Sequence, residues 1–447
     1  MTANPWRKAL ASRWPFLWGG LAVGAAEAIN YLIYHKPINI TFSLARAAAT
    51  VEDKLGLGQA LYGRNFQPGI NGIFLGLVAG GLLAAVLEGR GRIASHPSGV
   101  LAVSFLGGVL AGFGAVLAQG DTLYHFIGGV AVMQVSSLFM VAFAIPFVFL
   151  ALELMAVMGI ASAFQVSEGL GDGDGDGDGD GDDPGVERGG KLANKPIDGA
   201  PASPAMRASG KIGYLQMLLG AGATAALAAV ALFQGSTEPG LVLPGILAGF
   251  CIARSGFGIE WSLLVPDALA SSPRYLGQLG LTPKTIEDAR KPSALRALLA
   301  AMGILSTTAL AVWLIKGLPA GIAGEIADGN GLHIGHVAGA PLLAMGSVFM
   351  IGCEFRTYAR LGIGYTTAFA AAAGLLFGYL PGAIWGNSIG NWTASNKIAL
   401  NSWLPGIISS NTVVWLVVWL LFEFALAAGI FLMRANRKKV EPEAGKV

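Results

Sequence analysis

A chain of 447 residues that is 54% hydrophobic and only 13% charged has too few charges to cover a water-facing surface, since soluble domains carry about 25%. The net charge of +2 and the lack of a basic stripe interleaved with aromatics give no reason to expect a nucleic-acid partner. Long apolar runs and a mean hydropathy of +0.60 point instead to an integral membrane protein whose solvent is the lipid bilayer. The 65 glycines far exceed the norm of roughly 7%; in a helix bundle they let backbones approach closely and mark broken helices. The 2 cysteines, Cys251 and Cys353, lie in apolar runs, so no disulfide framework is expected.

Read in chain order, candidate spans fall at roughly 14–34, 68–90, 99–118, 133–158, 211–233, 241–256, 294–317, 336–352, 367–388 and 411–433. Arg7, Lys8 and Arg13 before the first run imitate a signal peptide. Glu27 comes after them without a convincing cleavage site, so an uncleaved first span is expected. Several runs are short, as suits helices that stop inside the protein. Arginines and lysines flank the start, the 90–92 loop, the 274–296 loop and the end (Arg434, Arg437, Lys438, Lys439). About ten spans with both termini in the cytoplasm satisfy that bias.

The chain divides into a first membrane half, 1–160, a linker, 161–210, and a second membrane half, 211–447. The linker repeats Gly-Asp from Gly171-Asp172 to Gly181-Asp182. Alternating aspartates resemble a calcium loop, but the terminal Glu and flanking helices of an EF-hand are missing. An acidic cytoplasmic linker is the reading preferred.

The two halves share a grammar. Gly114-x5-Gly120-Asp121 and Gly346-x5-Gly352-Cys353 are both apolar helices that stop at a glycine and deliver a polar or reactive residue. Each is followed by more glycine, Gly128-Gly129 in the first and Gly362-x-Gly364 in the second. Gly20-x3-Gly24 likewise pairs with Gly245-x3-Gly249. In the topology above, the members of each pair run in opposite directions, which predicts inverted repeats over roughly 14–160 and 240–390 with a site at their interface.

Chemistry concentrates at the breaks. Cys353 stands beside Arg356 and Arg360, a setting suited to a sulfur-containing anion; a buried cysteine is also a small inert hydrophobe. Ionisable residues within spans line a pathway or pair with one another, so Arg254, Arg356 and Arg360 either attract an anion or pair with Glu354 and Glu260. Asp121 and His125 sit one turn apart and are candidates for cation binding, a proton shuttle or helix capping. Glu27 and Glu153 are further buried-charge candidates, whereas Cys251 reads as packing. No metal-ligand spacing, Walker lysine or Ser-His-Asp set is present, and the histidines are scattered. Neither a metal, a cofactor nor catalysis is therefore expected.

Gly346-x5-Gly-Cys-x-x-Arg356, Gly362-x-Gly364 and the run Gly245, Gly249, Arg254, Ser255, Phe257 together resemble the YeeE/YedE sulfur-transport family of bacterial inner-membrane proteins. The degenerate first copy, Gly112 to Asp121, fits as well. The resemblance implies an all-α polytopic bundle of pseudo-symmetric halves, with short re-entrant helices meeting at the membrane centre. It also implies passage of thiosulfate or a related species past cysteines that contact it transiently, with Cys353 on the sulfur and capture by a cytoplasmic sulfur carrier. The chain departs from the family where Asp121 replaces a Gly-Cys cysteine and Gly258 replaces the cysteine of Arg-Ser-x-Phe-Cys. A relay of thiols is then reduced to Cys353. Either the cargo differs, or the protein serves as a non-transporting accessory or structural subunit of a larger membrane complex.

Overall fold

The structure, a computed structural model, describes residues 14, 16–57, 60–87, 96–158, 222, 238–259, 293–317, 331–398 and 412–435. Among them the regular structure is helical: α1 (Phe16–Tyr34), α2 (Ser43–Lys54), α3 (Gly72–Leu87), α4 (Ser98–Ala118), α5 (Val135–Val157), α6 (Val242–Ser255), α7 (Ser293–Lys316), α8 (Ile334–Phe349), α9 (Glu354–Ile363), α10 (Thr366–Ser395) and α11 (Thr412–Ala435). A π-helical segment, Leu123–Gly129, lies between α4 and α5. Helices occupy every expected span except 211–233, of which only residue 222 is described. The Gly-Asp linker and Glu260 also lie outside the described residues.

Among the described residues, seven segments are long and apolar enough to cross a membrane, the interrupted Ile334–Ile363 being one of them. The chain is thus a multi-pass membrane protein. Helices α3 and α6, at 16 and 14 residues, fall short of the roughly 20 residues a bilayer core requires.

Glycine sets the packing. Gly114 of α4 lies against Gly339 and Leu343 of α8, and Gly346 of α8 lies against Gly107 and Ala111 of α4, so these helices cross antiparallel at backbone contact. α1 runs antiparallel to α6: the Trp14 N–H donates to the Arg254 carbonyl at 3.1 Å, Gly19 meets Ser255 and Phe257, and Gly240 approaches Ile33. Several of the remaining contacts can be set side by side. α1 packs on α7 and α6 on α3; α4 packs on α10 and α8 on α5; α9 packs on α3 and the π segment on α7. The contacts of α9 with α6 and of α7 with α11 have no such counterpart of similar extent. Gly20 and Gly24 lie against Ala297 and Ala301 of α7, and Gly245 and Gly249 against Ile73 and Leu77 of α3.

Outside the spans, α2 is a short amphipathic helix. Its Glu52 carboxylate folds the adjoining loop by accepting backbone N–H groups of Leu61 (3.3 Å), Tyr62 (3.0 Å) and Gly63 (2.9 Å). Burial alone would raise the Glu52 pKa, but the three N–H donors outweigh it and hold the pKa below the usual carboxylate value.

The same packing separates two glycines in their tolerance of a side chain. A methyl at Gly108 would collide with the Ala371 carbonyl of α10, whereas one at Gly303 of α7 meets open space. Gly108→Ala should therefore cost about 1–3 kcal/mol and lower the unfolding temperature in detergent. Gly303→Ala should leave it equal or raise it, by up to about 1 kcal/mol of helix propensity. For Glu52, a depressed folded pKa means the loop's stability is present above the unfolded carboxylate value and lost as pH falls through the folded one. Proteolytic nicking of the 55–63 loop should rise on acidification. In Glu52→Gln it should be fast and flat with pH.

Candidate functional site

Each long helix that ends inside the bundle does so through a non-glycine residue in the left-handed region. After α4 this is Gln119 (φ 57°), and after α8 it is Ile351 (φ 63°). A β-branched residue there is an outlier held only by its surroundings. The surroundings of Ile351 are supplied by Arg360. This residue reaches back from the last turn of α9, and its Nη1 donates to the carbonyls of Met350 (3.2 Å) and Ile351 (3.1 Å). Its Nη2 donates to the Thr367 hydroxyl at 2.8 Å, and its guanidinium lies 5.1 Å from the Tyr365 ring centroid. Arg360 thus satisfies the orphan carbonyls at the end of α8. The sequence groups it with Cys353 as an anion-attracting charge; the structure assigns it to closing the break. Gly352 gives the close turn against Arg356, and Gly364 (φ 93°) ends α9. Gly362 brings α9 onto the backbone of α3 at Val78.

Cys353 and Asp121 occupy equivalent places, each directly after the break glycine and just ahead of a short helical segment. Cys353 is the fully buried N-cap of α9, and its carbonyl accepts the Thr357 N–H at 2.9 Å. Asp121 accepts the Tyr124 N–H at 2.7 Å through Oδ1 and the Ile40 N–H at 3.0 Å through Oδ2. Capping is therefore one of its roles, and the second bond ties the first break to the strap between α1 and α2. Gly120 leaves room for the His125 ring, which a side chain there would strike.

The other expected residues gather close by. Arg254 and Arg356 are buried, at the end of α6 and in the first turn of α9. The end of α6 reaches α9 through Phe257 and Phe355, whose ring centroids are 6.2 Å apart. Glu354 is buried, and the charge of Asp121 acts both on it and on Glu27 of α1. Asp121, Glu354 and Glu27 thus form one buried acidic cluster. Tyr358 of α9 and Tyr379 of α10 lie beside Glu354 within it. Glu153, by contrast, is half-buried on α5, outside this cluster, and Cys251 is packed in α6.

The histidines are not all scattered. His333, His336 and His125 assemble where the start of α8 meets the end of α4. The rings of His333 and His336 are 3.9 Å apart and those of His125 and His336 5.5 Å. The His333 N–H donates to His336 Nδ1 at 3.2 Å, and His125 Nδ1 pairs with the Ser137 hydroxyl at 3.0 Å. The rings stack edge and face, and among the described residues no group of His, Cys, Asp or Glu is arranged to hold a metal. Sequence could have hinted at this trio only through the i, i+3 pair at the head of α8; the antiparallel crossing brings His125 to it.

An apolar cavity of ≈ 10 Å³, lined by Val23, Ile38, Leu123 and Phe355 among others, lies next to the cluster. Its volume is about that of one water. The polar centre, built from broken helices and buried ionisable groups, has the chemistry of a midplane substrate or ion site.

Residues 2–148 match the model of the family described as Sulphur transport. No curated protein and no solved structure matches the chain. Over that stretch the chain is similar to the family that the motifs resemble.

Arg360→Ala would leave two buried carbonyls and a hydroxyl without their charged donor, a loss on the order of 2–3 kcal/mol. Its unfolding temperature in detergent should fall clearly. Arg360→Lys, which keeps the charge but not the planar fork, should fall in between. An unchanged temperature for both would show that the break holds without this clamp.

Proposed function

We propose that this protein, residues 2–148 of which match the sulphur-transport family, is a permease for a small sulfur-containing anion such as thiosulfate. It works in a bacterial inner membrane with both termini in the cytoplasm. The observation that carries the reading is the pairing of two helix breaks around one buried polar centre, with a thiol at the tip of one of them.

In this reading Cys353 touches the sulfur, while Arg356 and Arg254 attract the anionic end. The first turn of α9 adds the partial positive charge of its exposed N–H groups. Asp121, His125 and Glu354 border the pathway, and Glu260 is proposed with them from the sequence alone. The halves act as inverted repeats; the antiparallel crossings of α4 with α8 and α1 with α6, and the helix contacts that can be set side by side, support this. Rocking of one half against the other would then open the centre to each side in turn. With no nucleotide motif in the sequence, the substrate gradient, a coupled ion or capture by a cytoplasmic sulfur carrier supplies the direction. Nothing in the arrangement calls for catalysis.

Uptake of radiolabelled thiosulfate into proteoliposomes tests the reading. The unmodified protein should show saturable uptake. Cys353→Ser and Arg356→Ala should each lose about tenfold or more, the equivalent of roughly 1.4 kcal/mol. Cys251→Ser, a packing position, should transport normally. Saturable uptake untouched in both site variants would remove Cys353 and Arg356 from the pathway, and background uptake by the unmodified protein would remove thiosulfate as cargo.

A further inference from the structure

The three buried carboxylates are provided for very unequally. Asp121 receives a backbone N–H on each oxygen, from Tyr124 and Ile40. Glu27 receives one, from Ile38 at 2.8 Å on Oε2, and its Oε1 has no partner. Glu354, 1% exposed, receives no backbone N–H, and the Tyr379 hydroxyl is set against its carboxylate. Beside it the Tyr358 hydroxyl, also fully buried, is set in turn against that of Tyr379. Among the described residues none of the three carboxylates forms an ion pair, unlike Glu238, which meets Lys36 at 3.2 Å.

The groups around Glu354 can be named element by element. Its own helix carries Arg356, Tyr358 and Arg360, the last committed to the Met350 and Ile351 carbonyls. Asp121 lies at the first break, with Glu27 beyond it and His125 one turn on, next to His333 and His336. Tyr379 comes from α10 and Arg254 from the end of α6. The sequence of α3, packed along α9, has no titratable side chain.

An ionised carboxylate with no cation paired to it and no backbone donor is strongly disfavoured in such a place, and a second carboxylate nearby adds like-charge repulsion. The neutral acid avoids both. It also offers an O–H donor to a region where the tyrosine hydroxyls can accept.

We infer that Glu354, flanked by Tyr358 and Tyr379, is the proton-binding site of the protein and couples proton movement to passage of the anion. The coupling rests on the permease reading; the proton site does not. With the proton on Glu354, the centre is one negative charge poorer and admits an anion beside Cys353 and Arg356. With the proton released to the other side, the carboxylate charge returns next to the anion and drives it off. Proton and anion then favour each other's binding by the same factor, as linkage requires. Asp121 is held by backbone amides on both oxygens, and no bond to sulfur is made or broken.

Two measurements on the reconstituted full-length protein test this. Without cargo at neutral pH, infrared spectra should contain the carbonyl stretch of a protonated buried carboxylic acid. That band should be lost in Glu354→Gln and kept in Asp121→Asn. With thiosulfate as probe, an acid-outside gradient of one pH unit should raise accumulation by up to about tenfold for one proton per anion. Whatever its absolute rate, Glu354→Gln should accumulate thiosulfate to a level independent of the gradient. Tyr379→Phe, which keeps the acid, should retain the band at a shifted frequency.

A band unaffected by Glu354→Gln overturns the proton site. Uptake by the unmodified protein that ignores the gradient, or a Glu354→Gln variant that responds to it, overturns the coupling. No thiosulfate uptake at any gradient, with the band still assigned to Glu354, fails the permease reading and supports the proton site alone.

Discussion

A polypeptide that interrupts a helix inside an apolar layer must find partners for its freed backbone groups within the protein, because lipid offers none. The architecture of the centre is a consequence of that constraint. At the second break the released carbonyls of Met350 and Ile351 are taken by Arg360, a cation donated from within the same polypeptide stretch. At the first break the donors freed at the start of the π segment, and an N–H from the strap after α1, are taken by Asp121. One break is thus closed by a positive side chain acting on carbonyls, the other by a negative side chain acting on amides. Both charges are held in a layer that would otherwise exclude them. The left-handed Ile351 persists because Arg360 fixes the peptide groups on either side of it.

Glycine supplies the other half of the arrangement. Without side chains at Gly107, Gly114, Gly339 and Gly346, α4 and α8 approach at backbone distance, and van der Waals contact replaces the hydrophobic driving force that is absent between helices in lipid. This crossing lays the head of α8 beside the tail of α4. The encounter of His125 with His336 is a consequence of that approach.

Features that depend on local pattern are legible in the sequence. Hydropathy locates the described spans to within a few residues, and the Gly-x5-Gly spacing locates both breaks to within one residue, the left-handed turns falling at Gln119 and Ile351 just before the second glycine of each. The residue after each break glycine is likewise legible as special, and Asp121 does cap the π segment beyond it. Convergence in space is not legible. Glu27 is 94 positions from Asp121 along the chain, and nothing in its apolar run indicates which buried group it will meet. Tyr358 and Tyr379 look like ordinary apolar-helix aromatics until α9 folds back against α10. Arg360 shows the opposite failure: its charge and its nearness to Cys353 suggest a ligand for an anion, whereas its reach of one helix length returns it to the backbone of its own break.

The correspondence between Asp121 and Cys353 gives the two halves different chemistry on the same frame. Both residues stand directly after a break glycine, ahead of a short helical segment, where the N–H groups of the first turn favour negative character. In the second half the position holds a thiol whose side chain is not needed to cap α9. In the first half it holds a carboxylate whose oxygens are both engaged by backbone amides. A carboxylate bound in this way cannot exchange contacts with a passing sulfur atom without releasing Tyr124 or Ile40, so a symmetric relay of sulfur contacts is closed to this chain. What the first break contributes instead is an acid held by backbone amides close to Glu354. The two breaks thus share a backbone device and differ in what it presents: at residue 121 a group whose two oxygens are already engaged, at residue 353 a thiol.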